Sequence, residues 1–227
     1  MSEEELFNLV GTIKPANEKA MEMASERQAF LAKPPGSLGY LEDISIKLAG
    51  ITGKVKNDTK KQCIAIMCAD NGVVEEGVAS APQSVTLSQT INFTRRITGV
   101  SSMAKYWDID LLVIDLGVKM DIPVKLYTEE MLKQSFENGE HTKQISTKIV
   151  NRSIGNGTKN LAKEDAMTRA EAIQGIAVGI EAAKAIKDAE CEIFGVGEMG
   201  IGNTTTSSAV LSALTGARAI DTVGRGG

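Results

Sequence analysis

Cys63-Ile64-Ala65-Ile66-Met67-Cys68-Ala69-Asp70-Asn71-Gly72 decides the fold. Its first six residues are apolar without a break and without alternation, which predicts a short strand covered on both faces, as in a parallel sheet. The run passes directly into a turn that carries a carboxylate. Leu111-Leu112-Val113-Ile114-Asp115 repeats the arrangement, and Cys191-Glu192-Ile193-Phe194-Gly195 gives a third strand. Residues 145–154 and 219–223 are predicted as further strands. Helices are predicted over residues 83–99, 169–186 and 203–214, the second opened by a Thr168/Glu171 capping box. Strand and helix alternate, so the class is α/β: a Rossmann-like three-layer parallel sheet over residues 56–227.

Upstream, residues 1–55 read as helices of a small subdomain. One helix is predicted over 14–31 and another over 40–50. Between them Lys33-Pro34-Pro35-Gly36-Ser37-Leu38-Gly39 breaks the pattern, because proline cannot continue a helix and the glycines permit positive φ. Residues 120–144 are polar and aperiodic, with a turn at Asn138-Gly139, and read as a surface excursion.

Of the 227 residues, 42% are hydrophobic and 24% charged, the balance of an ordinary globular protein. The net charge of −4 gives no basic footprint for nucleic acid. No apolar run is long enough to cross a bilayer, and the acidic start lacks the layout of a signal peptide. Cys63, Cys68 and Cys191 are scattered and His141 is the single histidine, so neither a disulfide framework nor a metal site is expected. These features point to a cytoplasmic protein without a membrane segment.

In open parallel sheets, ligands meet the carboxyl ends of the strands. The candidates there are Asp70, Asp115 and the segment Gly195-Val196-Gly197-Glu198-Met199-Gly200-Ile201-Gly202-Asn203-Thr204-Thr205-Thr206. This segment contains G-x-G-x-x-G, with Asp221 placed to hold a ribose, which is the sequence case for an NAD-dependent oxidoreductase. Two features oppose it. Glu198 brings negative charge towards a pyrophosphate, and the helix is expected to open only near Asn203, since Gly200 and Gly202 are poor helix formers. An Asn203-Thr204-Thr205 helix start suits a single phosphate, and Glu198 could accept a hydrogen bond from the N–H of a neutral ring. The bland alternative is a tight glycine turn before a well-capped helix. Gln89 either lines a pocket or is solvated.

Three separated blocks resemble one known family. They are Lys33-Pro34-Pro35-Gly36-Ser37-Leu38-Gly39 with Leu41-Glu42, Cys68-Ala69-Asp70-Asn71-Gly72-Val73 with Glu76-Gly77-Val78, and Gly195-Val196-Gly197-Glu198-Met199-Gly200 with Asn203-Thr204-Thr205. Val223-Gly224-Arg225-Gly226 looks like the start of a fourth. Their order and spacing are similar to those of the nicotinate-nucleotide:5,6-dimethylbenzimidazole phosphoribosyltransferases of cobalamin biosynthesis. The resemblance implies transfer of phosphoribosyl from nicotinate mononucleotide to 5,6-dimethylbenzimidazole, giving α-ribazole 5′-phosphate and nicotinate, with no cofactor and no metal. It places Ala81, Gln89, Glu198 and Met199 near the azole. It places Gly197, Gly200, Gly202, Asn203, Thr204, Gly224 and Gly226 near the nucleotide. Relatives pair, so a homodimer is implied.

This sequence departs from the family where Asn71 stands in place of a common histidine. Ala81 replaces a serine found in some relatives and so removes a polar contact to the azole. The chain looks like the N-terminal two-thirds of the family's, without the later segment that carries the family's general-base glutamate. Glu198 is the one carboxylate nominated as a substitute base, and poor turnover, or a non-catalytic azole-binding remnant, is the expectation.

Overall fold

The computed structural model describes residues 1–58, 60–131 and 148–226. It forms two units, Ser2–Lys60 and Lys61–Gly227. In the smaller unit, α1 (Glu3–Gly11) opens with a capping box: the Ser2 hydroxyl accepts from the Glu5 amide at 3.1 Å, and the Glu5 carboxylate accepts from the Ser2 amide at 2.7 Å. The sequence reading places helices over residues 1–55 without giving bounds for this one, although Ser2 and Glu5 carry its signal. α2 (Glu18–Phe30) starts later than predicted because the Asn17 side chain caps it. α3 (Tyr40–Thr52) ends at Gly53 in the left-handed region. α2 and α3 meet through Ala20, Ala24 and Ala49, small residues that let the two backbones approach closely. In the connector before α3, the Lys33 ammonium lies 2.6 Å from the Glu42 carboxylate, which also accepts from the Leu38 amide at 3.1 Å.

The larger unit is a five-stranded sheet, parallel throughout, in the order β3-β4-β2-β1-β5. Its members are β1 (Gln62–Ala69), β2 (Asp110–Gly117), β3 (Tyr127–Thr128), β4 (Ile149–Asn151) and β5 (Ile193–Met199). The continuous apolar runs that predicted β1 and β2 are explained by cover on both faces. Cys63, Ala65, Leu112 and Ile114 pack towards α6 (Arg169–Asp188) through its Val178, Ala182 and Ile186. Ile66, Cys68, Leu111 and Val113 pack on the other face with Phe93 and Leu87 of α4 (Ser84–Thr94). α6 carries the capping box read from Thr168 and Glu171.

Four expectations need correction. The helix predicted over 83–99 is two helices: α4 stops at Thr94, and α5 (Gly99–Tyr106) begins with its own capping box between Thr98 and Ser101. The third predicted strand is β5, which starts at Ile193 and runs on to Met199, through residues read as a loop. The last predicted strand is instead a single helical turn, α8 (Ala219–Thr222), braced by a two-point ion pair from Arg218 to Asp221. β4 is confined to Ile149–Asn151; the start predicted at Ile145 lies outside the described residues, as do residues 132–144 of the excursion, with His141 and the Asn138-Gly139 turn. The described part of that excursion holds β3, whose Tyr127 hydroxyl donates to the Asp115 carboxylate.

No described helix is long and apolar enough to cross a membrane.

Candidate functional site

From β1 the chain moves to β2, out to the edge strand β3 and back to β4 beside β2, then crosses to place β5 on the other side of β1. The strand order therefore reverses between β1 and β5. In open α/β sheets this switch point opens a crevice at the carboxyl ends of the strands, where ligands sit. Here those ends are Ala69-Asp70-Asn71 after β1 and Glu198-Met199-Gly200 after β5.

The two ends touch. Gly200 is buried against β1 so closely that a Cβ there would lie 2.0 Å from the Ala69 carbonyl oxygen and 2.8 Å from Asn71 Nδ2. Only glycine fits. Gly202 adopts φ +83° and turns the chain into α7 (Asn203–Thr215). Three side chains hold the turn. Asn71 Nδ2 donates to the Ile201 carbonyl at 3.1 Å, the Thr86 hydroxyl accepts from the Ile201 amide at 3.1 Å, and Thr206 Oγ1 donates to Asn71 Oδ1 at 3.3 Å.

Glu198 is exposed, and Asn203 Nδ2 donates to both of its oxygens, at 2.7 and 2.8 Å. Asn203 Oδ1 in turn accepts from the Thr204 amide at 2.8 Å. The tail returns to the same place. Ser208 and Ser212 on α7 hydrogen-bond Thr222 of α8, and Gly226 (φ +67°) comes so close to Thr204 that a Cβ would lie 2.6 Å from its hydroxyl. Glu198, Gly200, Gly202, Asn203, Thr204 and Gly226 are thus gathered at one end of the sheet. Gly224 lies in the exposed tail before Gly226.

The other nominated residues are placed differently. Register pairs Glu198 with Met67 and Met199 with Cys68, so the two side chains leave opposite faces. Met199 packs into the cluster on the α4 side. Gln89 is half-buried on α4, one turn beyond Thr86, and Ala81 precedes that helix. Among the described residues no hydrogen bond joins either of them to Glu198. Gly197 stands within β5 opposite Ile66. Gly195 and Gly197 are strand residues, so the first half of G-x-G-x-x-G forms no phosphate-cradling turn, and Asp221 is engaged by Arg218. This is not the geometry of a dinucleotide fingerprint.

The strand-end aspartates Asp70 and Asp115 serve the fold. Asp115 is buried; its Oδ1 accepts from the amides of Gly117 and Val118 at 2.9 and 2.8 Å, and its Oδ2 from Tyr127. Asp70 is buried too, with Oδ2 accepting from the Lys119 amide at 2.8 Å. Burial pushes the Cys63 and Cys68 thiols up to about 12, which leaves both protonated and inert near neutral pH. Gln83 and Thr86 stand in the polar entry to α4 that the sequence shows, but neither their contacts nor that of Asn71 with Ile201 can be read from it.

A glycine turn and an exposed, amide-held carboxylate at the switch point mark an open α/β protein with a candidate ligand site at its strand ends. A family model described as Phosphoribosyltransferase matches residues 13–227. The nicotinate-nucleotide–dimethylbenzimidazole phosphoribosyltransferase of Clostridium perfringens is 49% identical over 204 residues, covering 90% of this chain and 50% of its own. That of Clostridium acetobutylicum is 45% identical over 219 residues, covering 96% and 56%. A crystal structure of CobT from Thermus thermophilus superposes with a TM-score of 0.77 at 34% identity, covering 92% of this chain and 56% of that one. The chain belongs to the nicotinate-nucleotide–dimethylbenzimidazole phosphoribosyltransferase family. It spans about half the length of the curated relatives it matches, rather than the two-thirds expected.

Proposed function

We propose that this chain takes part in transferring phosphoribosyl from nicotinate mononucleotide to 5,6-dimethylbenzimidazole, with β5, the 200–202 turn and the start of α7 holding both reactants. The observation that carries the reading is the exposed Glu198 carboxylate, fixed by Asn203 at the switch point. The azole nitrogen forms a bond to the anomeric carbon while the bond from that carbon to the nicotinate ring nitrogen breaks. Glu198 accepts the proton of the azole N–H and leaves the nitrogen's lone pair free to attack. The phosphate lies against the exposed Thr204 hydroxyl and the tail at Gly224 and Gly226, where glycine lets the backbone approach an anion closely. Gln89 and Ala81 border the azole where it extends past the end of β5 to the α4 side; Met199 packs into the core on that side and takes no part. Holding the two rings in line supplies the larger share of acceleration. The products are α-ribazole 5′-phosphate and nicotinate. A homodimer, as the family resemblance implies, belongs to the same proposal.

The test is nicotinate release from nicotinate mononucleotide, with and without 5,6-dimethylbenzimidazole, on a sample shown to be folded by circular dichroism. Slow release that depends on the azole, well below that of a full-length relative, is the expected result. A folded sample that releases none refutes turnover by this chain.

A further inference from the structure

Ile201 lies between Glu198 and Asn203, and both polar groups of its backbone are taken by side chains from other elements. Its amide donates to Thr86, which is fully buried on α4, and its carbonyl accepts from Asn71, which follows β1. Asn71 is itself oriented. Its oxygen lies 3.3 Å from the Thr206 hydroxyl, which also meets the Asn203 carbonyl at 2.8 Å, and Gln83 Nε2 donates to its backbone carbonyl at 3.4 Å.

Apolar packing does only part of this work, through Met199 in the core and Gly202 beside Val73 and Val74. α7 has no buried residue among those described, and β5 is an edge strand whose Val196 is 80% exposed. The segment that carries Glu198 and Asn203 is therefore also anchored through its backbone contact at Gly200 and through these polar grips. Without the grips, the contacts at Met199, Gly200 and Gly202 would remain but the Ile201 peptide would be free to reorient, and the Asn203 amide would lose its alignment with the Glu198 carboxylate.

We infer that Thr86 and Asn71 are positioning residues for the ligand site, fixing the 200–202 turn and through it the placement of Asn203 on Glu198. This rests on the reading of Glu198 and Asn203 as ligand residues. Neither Thr86 nor Asn71 meets a ligand; each acts through the backbone of Ile201.

The test is calorimetric titration of nicotinate mononucleotide and of 5,6-dimethylbenzimidazole into the full chain and its variants, with Tm measured on each. Thr86→Val leaves the Ile201 amide unpaired and weakens both ligands about tenfold, the scale of one unmade buried hydrogen bond, while Thr86→Ser stays within about twofold of the parent chain. Asn71→Asp, whose carboxylate cannot donate to the Ile201 carbonyl, weakens both ligands as Thr86→Val does and serves if the valine variant folds poorly. Ser101→Ala, which loses the capping box of α5, lowers Tm without changing either affinity. Unchanged affinities in Thr86→Val and Asn71→Asp overturn the inference. So does a loss that Thr86→Ser fails to relieve, or that Ser101→Ala reproduces. If the parent chain binds neither ligand, the site reading itself fails and the positioning role falls with it.

Discussion

β2 and β5 both carry a carboxylate near the carboxyl end, and the two groups live in opposite surroundings. Asp115 on β2 is 2% exposed and meets three donors: two backbone amides of the following turn and the Tyr127 hydroxyl. Glu198 on β5 is exposed and is met by a single side-chain amide. A buried carboxylate that already meets three donors organises the chain around it and is shut away from solvent. An exposed one held in orientation from one side keeps acceptor capacity for a partner. Position at a strand end nominates both groups, whereas the surroundings separate the structural carboxylate from the one proposed to meet a ligand.

The largest effect should come from removing the buried group. Asp115→Ala leaves the amides of Gly117 and Val118 unpaired inside the protein and is expected to lower stability by about 4 kcal/mol, read by urea denaturation. A loss below about 1 kcal/mol, within reach of an ordinary surface change, would erase the contrast with Glu198. Next is Gly200→Ala. The added methyl meets the Ala69 carbonyl, a backbone atom that cannot step aside, so a loss of about 3 kcal/mol is expected by the same denaturation measurement, together with failure to bind either ligand.

A smaller effect tests the third donor to Asp115. Burial, reinforced by the hydrogen bond to Asp115, raises the ionisation of Tyr127 above the ordinary tyrosine range. The folded chain then keeps this proton after the unfolded chain has released its own. Its contribution is fully present below about pH 10 and is lost as pH rises beyond that. Tyr127→Phe should lower stability by about 2 kcal/mol at neutral pH and flatten the alkaline decline, both measured by urea denaturation across pH. An unchanged alkaline limb would show that Tyr127 is not the group responsible.

Much of this was legible in the sequence where side-chain pattern dictates structure. The unbroken apolar runs 63–68 and 111–114 gave the two central strands because both faces of each are covered. Thr168 and Glu171 gave the start of α6 because a capping box is local. The path of β5 was hidden, since Gly195 and Gly197 have no side chain to show a pattern and an exposed edge strand needs none. α8 was hidden because four residues cannot display a period; the Arg218–Asp221 pair was its local cue. For the site, the gathering of Glu198, Asn203 and Thr204 could be anticipated from one contiguous segment. The grip of Thr86 on Ile201 could not, because it joins residues 115 apart and depends on how α4 lies against β5. Tyr127 was overlooked for the same reason: it stands in a polar stretch that gains its meaning only when β3 brings it to Asp115.

The central claim is that Glu198 is the ligand-facing carboxylate, and a Glu198→Gln variant tests it most directly. The measurement is calorimetric titration of 5,6-dimethylbenzimidazole into parent and variant, with Tm recorded for both. The account predicts binding to the parent and about tenfold weaker binding to Glu198→Gln, because the amide accepts the azole N–H without the charge, at an unchanged Tm. Equal affinity in the two proteins would contradict it.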